Sequence, residues 1–298
     1  ALMITTSAED GSFSFESIPY GTWYVREIEQ PAGFVLDDTI YPVTIGADGQ
    51  VVEIEIVNRY VRGNIHLTKV DSEYPDNKLT GATFEVYKDS NANGKLDSGD
   101  ELLGTLTEKE KGEYSMNDLF YGRYFVKETK APEGFVLDTG VYEVMIDTNG
   151  KTYEVENKAG VGFINDAMRG NLKIVKTSSD GKVKGFAFRI TGANGYDIIL
   201  ETNDKGEIFI DGLRIGDYTI SEVSNSASSM YVIPADKKAT VKIGSTTIVE
   251  MHNLLRDTPK TGDTTNLPLL YALAGLSAVG IAVCGVIGFK KKKKEDRN

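Results

Sequence analysis

The chain has 298 residues, a formal net charge of -11 and a single cysteine. The tail 290–298 holds six bases and two acids, so everything before it carries -15 (-11 less +4), a balance that argues against nucleic acid or anionic lipid as a partner. Cys284 lies in an apolar run near the C-terminus, which leaves the rest of the chain without any disulfide; covalent bracing there must come from other chemistry.

The chain opens Ala1-Leu2-Met3-Ile4-Thr5, with no basic region followed by an apolar core and hence no visible signal peptide. Self-comparison then finds a period near 95 residues. Gly21-Thr22-Trp23-Tyr24-Val25-Arg26-Glu27, Gly122-Arg123-Tyr124-Phe125-Val126-Lys127-Glu128 and Gly216-Asp217-Tyr218-Thr219-Ile220-Ser221-Glu222 are one strand written three times. In the first two copies it runs on into Pro31-Ala32-Gly33-Phe34 and Pro132-Glu133-Gly134-Phe135. A second element, Gly63-Asn64-Ile65-His66-Leu67-Thr68-Lys69 and Gly170-Asn171-Leu172-Lys173-Ile174-Val175-Lys176, opens units two and three and has no counterpart in unit one. The first unit therefore reads as the later part of a domain. A third element closes the units at Asn58, Asn157 and Asn253.

Between these landmarks, apolar and polar residues alternate in runs of five to eight, broken by Asp48-Gly49, Asn149-Gly150 and Asp180-Gly181. That pattern predicts an all-β chain of tandem antiparallel β-sandwiches of the Ig-like or prealbumin-like kind, over 1–59, 63–157 and 170–254, with 158–169 as a linker.

Residues two apart on a strand share a face. Lys69 is in phase with Ile65 and Leu67, and Lys176 with Leu172 and Ile174. Glu27, Glu128 and Glu222 continue the faces of Trp23 and Val25, of Tyr124 and Val126, and of Tyr218 and Ile220. Asn58, Asn157 and Asn253 extend the faces of Ile56, Val155 and Met251. Two readings are open. The polar residues sit where strands emerge into water, or they are buried with the core. Burial would lower the lysine pKa and raise that of the glutamate. A neutral amine is a nucleophile and can attack the carboxamide carbon of an asparagine while the protonated glutamate polarises it and relays protons, yielding an isopeptide crosslink.

A strand-A lysine, a Tyr-x-Val-x-Glu-x-x-Ala-Pro-x-Gly-Phe box and a last-strand asparagine resemble the B-type repeats of collagen-binding adhesins and pilins, also called prealbumin-like or SpaA-type domains. The resemblance implies an autocatalytic crosslink at Lys69, Glu128 and Asn157, and another at Lys176, Glu222 and Asn253. Unit one supplies only Glu27 and Asn58. In unit three the segment 224–229 is serine-rich and departs from the box.

Within unit two, Asp89, Asn91, Asn93, Gly94, Asp97 and Asp100 occupy positions 1, 3, 5, 6, 9 and 12 of a calcium loop, with Asp instead of Glu at the last. A polar hairpin would have the same composition. The two histidines, His66 and His252, fall on faces opposite the core, and no nucleophilic cysteine or phosphate loop is present, so nothing points to a turnover enzyme.

The C-terminal segment 258–298 begins Thr258-Pro259-Lys260-Thr261-Gly262. Its apolar run at 267–289 is 23 residues long, and five lysines follow at 290–294. The run is long enough to cross a bilayer as a helix, with the lysines holding its end in the cytoplasm. This order resembles the Leu-Pro-x-Thr-Gly sorting signal of Gram-positive surface proteins, with Thr258 in place of Leu. The resemblance implies that a sortase cleaves after Thr261 and joins its carboxyl to peptidoglycan, so that the precursor spans the membrane and the mature protein is secreted and wall-anchored. Since such a signal demands export, the chain is expected to be part of a longer protein. The resulting expectation is a structural stalk presenting an adhesive region. The alternatives are repeats that themselves bind a host matrix protein, or a minor or basal pilin; Tyr41-Pro42 is followed by Val43, so no Tyr-Pro-Lys pilin motif is seen.

Overall fold

The computed structural model describes residues 3–257, all β apart from one short 3-10 turn at Ala193–Gly195. Unit one contains β1 (Gly21–Val25), β2 (Phe34–Val35), β3 (Tyr41–Ile45) and β4 (Arg59–Tyr60), paired antiparallel as β1 with β3 and β2 with β4. No residue from 3 to 60 is buried, because no strand covers the face that Trp23 and Val25 present.

Unit two is a two-sheet sandwich. Its strands are β5 (Arg62–Asp71), β6 (Thr83–Lys88), β7 (Glu101–Thr105), β8 (Thr107–Glu110), β9 (Glu113–Phe120), β10 (Gly122–Lys130), β11 (Val141–Ile146), β12 (Thr152–Glu154) and β13 (Phe163–Asn165). One sheet has the order β11-β10-β6-β7 and the other β12-β5-β9-β8, with β13 also on β5. Ile65, Leu67, Phe84, Tyr124 and Phe163 meet between them.

Unit three repeats the plan with β14 (Arg169–Ser178), β15 (Ala187–Thr191), β16 (Asp197–Glu201), β17 (Glu207–Arg214), β18 (Gly216–Val223), β19 (Tyr231–Val232), β20 (Lys237–Val241) and β21 (Thr246–Leu255). The sheets are β17-β14-β21-β19 and β16-β15-β18-β20, enclosing Leu172, Ile174, Phe188, Ile220 and Met251.

Two features differ from the expectation of purely antiparallel sandwiches with a plain linker. The opening strand pairs in parallel with the closing one, β5 with β12 and β13, and β14 with β21. Alternation marks which face a residue occupies but not the direction of its neighbour, so the pattern carried no sign of this. The expected linker 158–169 also contributes β13 to unit two: the closing strand leaves β5 after Glu154 and returns at Phe163. In unit three the same strand is continuous from Thr246 to Leu255.

Among the described residues no helix is long and apolar enough to cross a membrane. The pentapeptide 258–262, the span 267–289 and the tail lie outside the described residues.

Candidate functional site: buried lysine, glutamate and asparagine

Along β5 every second residue from Gly63 is buried, and Lys69 falls in that phase; β14 places Lys176 in the same way. Glu128 follows Tyr124 and Val126 on the inward face of β10, and Glu222 follows Tyr218 and Ile220 on β18. Lysine and glutamate thus come from opposite sheets and meet at one end of the core. Relative exposures are 0% for Lys69 and Glu128, and 1% and 7% for Lys176 and Glu222. These residues are inside the sandwich, not at strand ends in water.

The asparagine comes from the strand beside the lysine. In unit three Asn253 pairs with Ser178, two positions beyond Lys176, and its Nδ2 donates to Glu222 Oε1 at 2.7 Å. In unit two the residue in that register is Asn165, opposite Asp71 and two beyond Lys69. Asn165 Nδ2 donates to Glu128 Oε2 at 2.8 Å and to the Val136 carbonyl. Unit one has the same pair, Asn58 Nδ2 donating to Glu27 Oε2 at 2.7 Å and to the Val35 carbonyl at 3.1 Å. Residues 1–60 contain no lysine to complete it.

Asn157, expected beside Glu128, is elsewhere. It sits in the excursion between β12 and β13, closed by a Lys158–Gly162 bridge and by the Gly160 N–H on Glu156. Its amide donates to Asp138 Oδ2 at 2.7 Å and to the Ile164 carbonyl at 2.8 Å, and its Oδ1 accepts from the Ile164 N–H at 2.6 Å. Asn157 therefore holds the backbone of β13 next to Asn165. Running the alternation straight on from Tyr153 and Val155 led to the wrong side of the excursion. A signal was present in the spacing. Asn58 stands five residues before Gly63, and Asn165 stands five before Gly170.

Burial pushes the Lys69 ammonium down to about 8, against the pull of Glu128, Asp138 and Asp71. Burial likewise raises Glu128, opposed by the Asn165 amide and the Asp138 N–H. In unit three burial lowers Lys176 and raises Glu222. Lys69 Nζ donates to the carbonyls of Phe163 (3.0 Å) and Val70 (3.3 Å), while Lys176 Nζ donates to that of Thr177 and lies 4.1 Å from the centre of the Phe186 ring.

Of the five buried side-chain polar atoms without a hydrogen-bond partner among the described residues, four are Glu128 Oε1, Asn165 Oδ1, Glu222 Oε2 and Asn253 Oδ1. Leaving such an atom unpaired costs about 1–3 kcal/mol. The same two orphans recur in both units, one carboxyl oxygen and one carboxamide oxygen. A proton on the carboxyl oxygen, which burial favours, would give the carboxamide oxygen a donor and make its carbon electrophilic.

The fold built around these residues has known relatives. The profile of the SpaA prealbumin-like fold domain matches residues 3–60, 63–159 and 170–254. The chain belongs to this family. It is 26% identical over 194 residues to the trypsin-resistant surface T6 protein of Streptococcus pyogenes serotype M6, covering 55% of this chain and 34% of that protein. With Colossin-A of Dictyostelium discoideum it shares 25% identity over 248 residues, 73% of this chain and 2% of that one. The chain thus spans about a third or less of these curated relatives. Among solved structures, the Bacillus anthracis TIE protein superposes with a TM-score of 0.62 at 26% identity, over 83% of this chain and 44% of that one.

The acidic loop of unit two folds on itself. Asp89 accepts from the N–H groups of Asn93 and Gly94, Asp97 from the side-chain amides of Asn91 and Asn93, and Asp100 from the N–H groups of Ser90 and Asp97. The Arg123 guanidinium lies 3.7 Å from the Asp89 carboxylate. Among the described residues no group of three or more His, Cys, Asp or Glu is arranged to hold a metal. His66, half-buried, lies between Glu113 and Glu154 at 2.9 and 2.6 Å.

Proposed function

We propose that the chain is a sortase-anchored, wall-linked surface stalk whose second and third units are each closed by a Lys–Asn isopeptide bond, Lys69 to Asn165 and Lys176 to Asn253. The observation that carries the crosslink is the recurrence, in two units, of a buried lysine and of an asparagine donating to a buried glutamate, with the same pair of unpartnered oxygens. In the reaction the neutral Nζ attacks the asparagine Cγ; the C–N bond to the carboxamide nitrogen breaks, ammonia leaves with the proton delivered through Glu128 or Glu222, and the glutamate ends as it began. No oxidant and no other protein is needed. The T6 relative is described as a trypsin-resistant surface protein. The same location and resistance suit a chain whose first and last strands are joined covalently. Anchoring rests on the sequence 258–298 alone, with sortase and peptidoglycan as the partners it implies.

Intact mass tests the crosslinks. A chain covering residues 63–257 should fall short of its sequence mass by two ammonia molecules. Glu128→Ala or Asn165→Ala should restore one of them, whereas Asn157→Ala should not remove the deficit. A full sequence mass would refute the crosslinks, and a deficit that survives Asn165→Ala but not Asn157→Ala would reassign the bond.

A further inference from the structure

The Gly-Phe pair of the Pro-x-Gly-Phe box makes contacts that the crosslink does not use. In unit one Phe34 pairs with Tyr60, two residues after Asn58, and their rings stack at 4.7 Å. The next residue, Val61, donates its N–H to the Gly33 carbonyl at 2.8 Å and accepts at its own carbonyl from the Tyr121 N–H of unit two at 3.0 Å. Tyr60 also meets Phe120 edge-on at 5.4 Å.

The second junction repeats this bond for bond. Phe135 bridges Ala167, two residues after Asn165. Met168 donates to the Gly134 carbonyl at 2.8 Å and accepts from the Ile215 N–H of unit three at 3.0 Å. Gly33 and Gly134 have φ of +83° and +84°, which a residue with a Cβ adopts only with strain. A Cβ at Gly33 would also stand 3.1 Å from the Tyr121 ring.

The receiving turn is fixed from its own side. Tyr124 OH donates to the Phe120 carbonyl at 2.7 Å, and Tyr218 OH to the Arg214 carbonyl at 2.9 Å. At the second junction an ionic clasp is added: Arg214 grips the fully buried Asp71 carboxylate at 2.6 and 2.7 Å and Glu73 at 2.8 Å, and Arg169 also reaches Glu73. A planar fork on a carboxylate fixes orientation as well as distance. Unit three, where the box is replaced, is followed in the sequence by the segment 258–262.

We infer that the Gly-Phe pair of the box is a docking element for the repeat that follows it: its partner is the turn before the Gly-x-Tyr strand of the next unit, and its role is to set the angle between successive units. The inference deepens the stalk reading and is independent of the crosslinks. Units of one chain move relative to each other unless their interface holds them, so the two junctions turn a string of sandwiches into a rod.

The test uses the full chain in detergent, with Cys284→Ser and spin labels at Lys109→Cys in unit two and Lys205→Cys in unit three. The distribution of distances between labels should be narrow, and Phe135→Ala and Arg214→Ala should each broaden it about twofold, as expected when a small interface is lost. The ammonia deficit, read on the same samples, should not move. A broad distribution in the parent chain overturns the inference, as does one that stays narrow in both variants. Broadening by Arg214→Ala alone would assign the junction to the ion pair and refute the box. Should Phe135→Ala unfold unit two, shown by loss of its melting transition, the conservative Phe135→Leu takes its place and is expected to broaden the distribution less. A parent chain at full mass with a narrow distribution would refute the crosslinks and leave this inference standing.

Discussion

Replacing Lys69 by Met removes the nucleophile while keeping an unbranched chain of similar size in the same apolar pocket. No cavity is opened, and the buried amine, whose desolvation burial already penalises, is gone. What is lost is the proposed bond to Asn165. That bond closes a loop of about 95 residues, and restricting the unfolded chain by such a loop stabilises by roughly 4–5 kcal/mol, with the disulfide relation used as the analogy. For a domain of this size each kcal/mol moves the midpoint by about 4–8 °C, so the transition of unit two should fall by roughly 15–40 °C. Scanning calorimetry of residues 1–257, with intact mass on the same samples, separates this from the transition of unit three, which keeps its own lysine. A Lys69→Met chain that has lost one ammonia deficit and yet melts at the parental temperature would refute the claim that the bond carries the stability of the unit.

The remaining predictions are narrower. Asn165→Ala leaves Lys69 and Glu128 buried and unlinked; because Lys69 titrates near 8 when folded and near 10.5 when unfolded, the folded state binds fewer protons between those values, so this variant should gain stability as pH rises from 8 towards 10.5, by up to about 3 kcal/mol. A parent whose Nζ is tied up in the proposed amide should show no such gain in denaturant melts; an equal gain in both proteins would refute the crosslink, and no gain in the variant would show that the amine is not held neutral. If the loop 89–100 takes calcium, millimolar-scale calcium should raise the melting of unit two in Asn165→Ala, since a ligand bound only to the folded state stabilises it; identical curves in chelator and calcium would leave an ordinary hydrogen-bonded loop. Thr261→Ala should shift the mature protein from the wall fraction to the membrane or the medium, and unchanged wall attachment would refute sorting at 258–262.

Much of the site was legible because it obeys the period of a strand. The phase of Lys69 against Ile65 and Leu67, and of Glu128 against Tyr124 and Val126, is a local property; it put both residues on the core face, while their burial rather than emergence into water came from the structure. Asn165 was missed because its position depends on a detour: Glu27 and Asn58 are 31 residues apart, as are Glu222 and Asn253, but Glu128 and Asn165 are 37 apart. Alternation has no memory across a loop, so the phase counted up to Asn157 says nothing about the strand that resumes at Phe163. Parallel pairing of first and last strands was hidden for a similar reason, since it is a relation between segments separated by most of a unit. The junctions were hidden more deeply. Their bonds run between backbone groups, Val61 to Gly33 and Met168 to Gly134, and the receiving residues Val61 and Met168 share no side-chain signature.

The parallel pairing of opening and closing strands decides what happens to the length of the molecule under load. Two strands that run the same way side by side take the chain in at one end of the sandwich and deliver it at the other, so tension enters along β5 and leaves along β13. Without a covalent tie, unfolding unit two would release about 95 residues of slack at roughly 3.3–3.6 Å each, on the order of 300 Å. With Nζ of Lys69 joined to Asn165, the tensile path runs a few residues down β5, across one amide and straight into 166–169, and most of the unit hangs beside that path as a loop. A reach fixed in this way is a property of bond lengths. It does not depend on whether the fold survives.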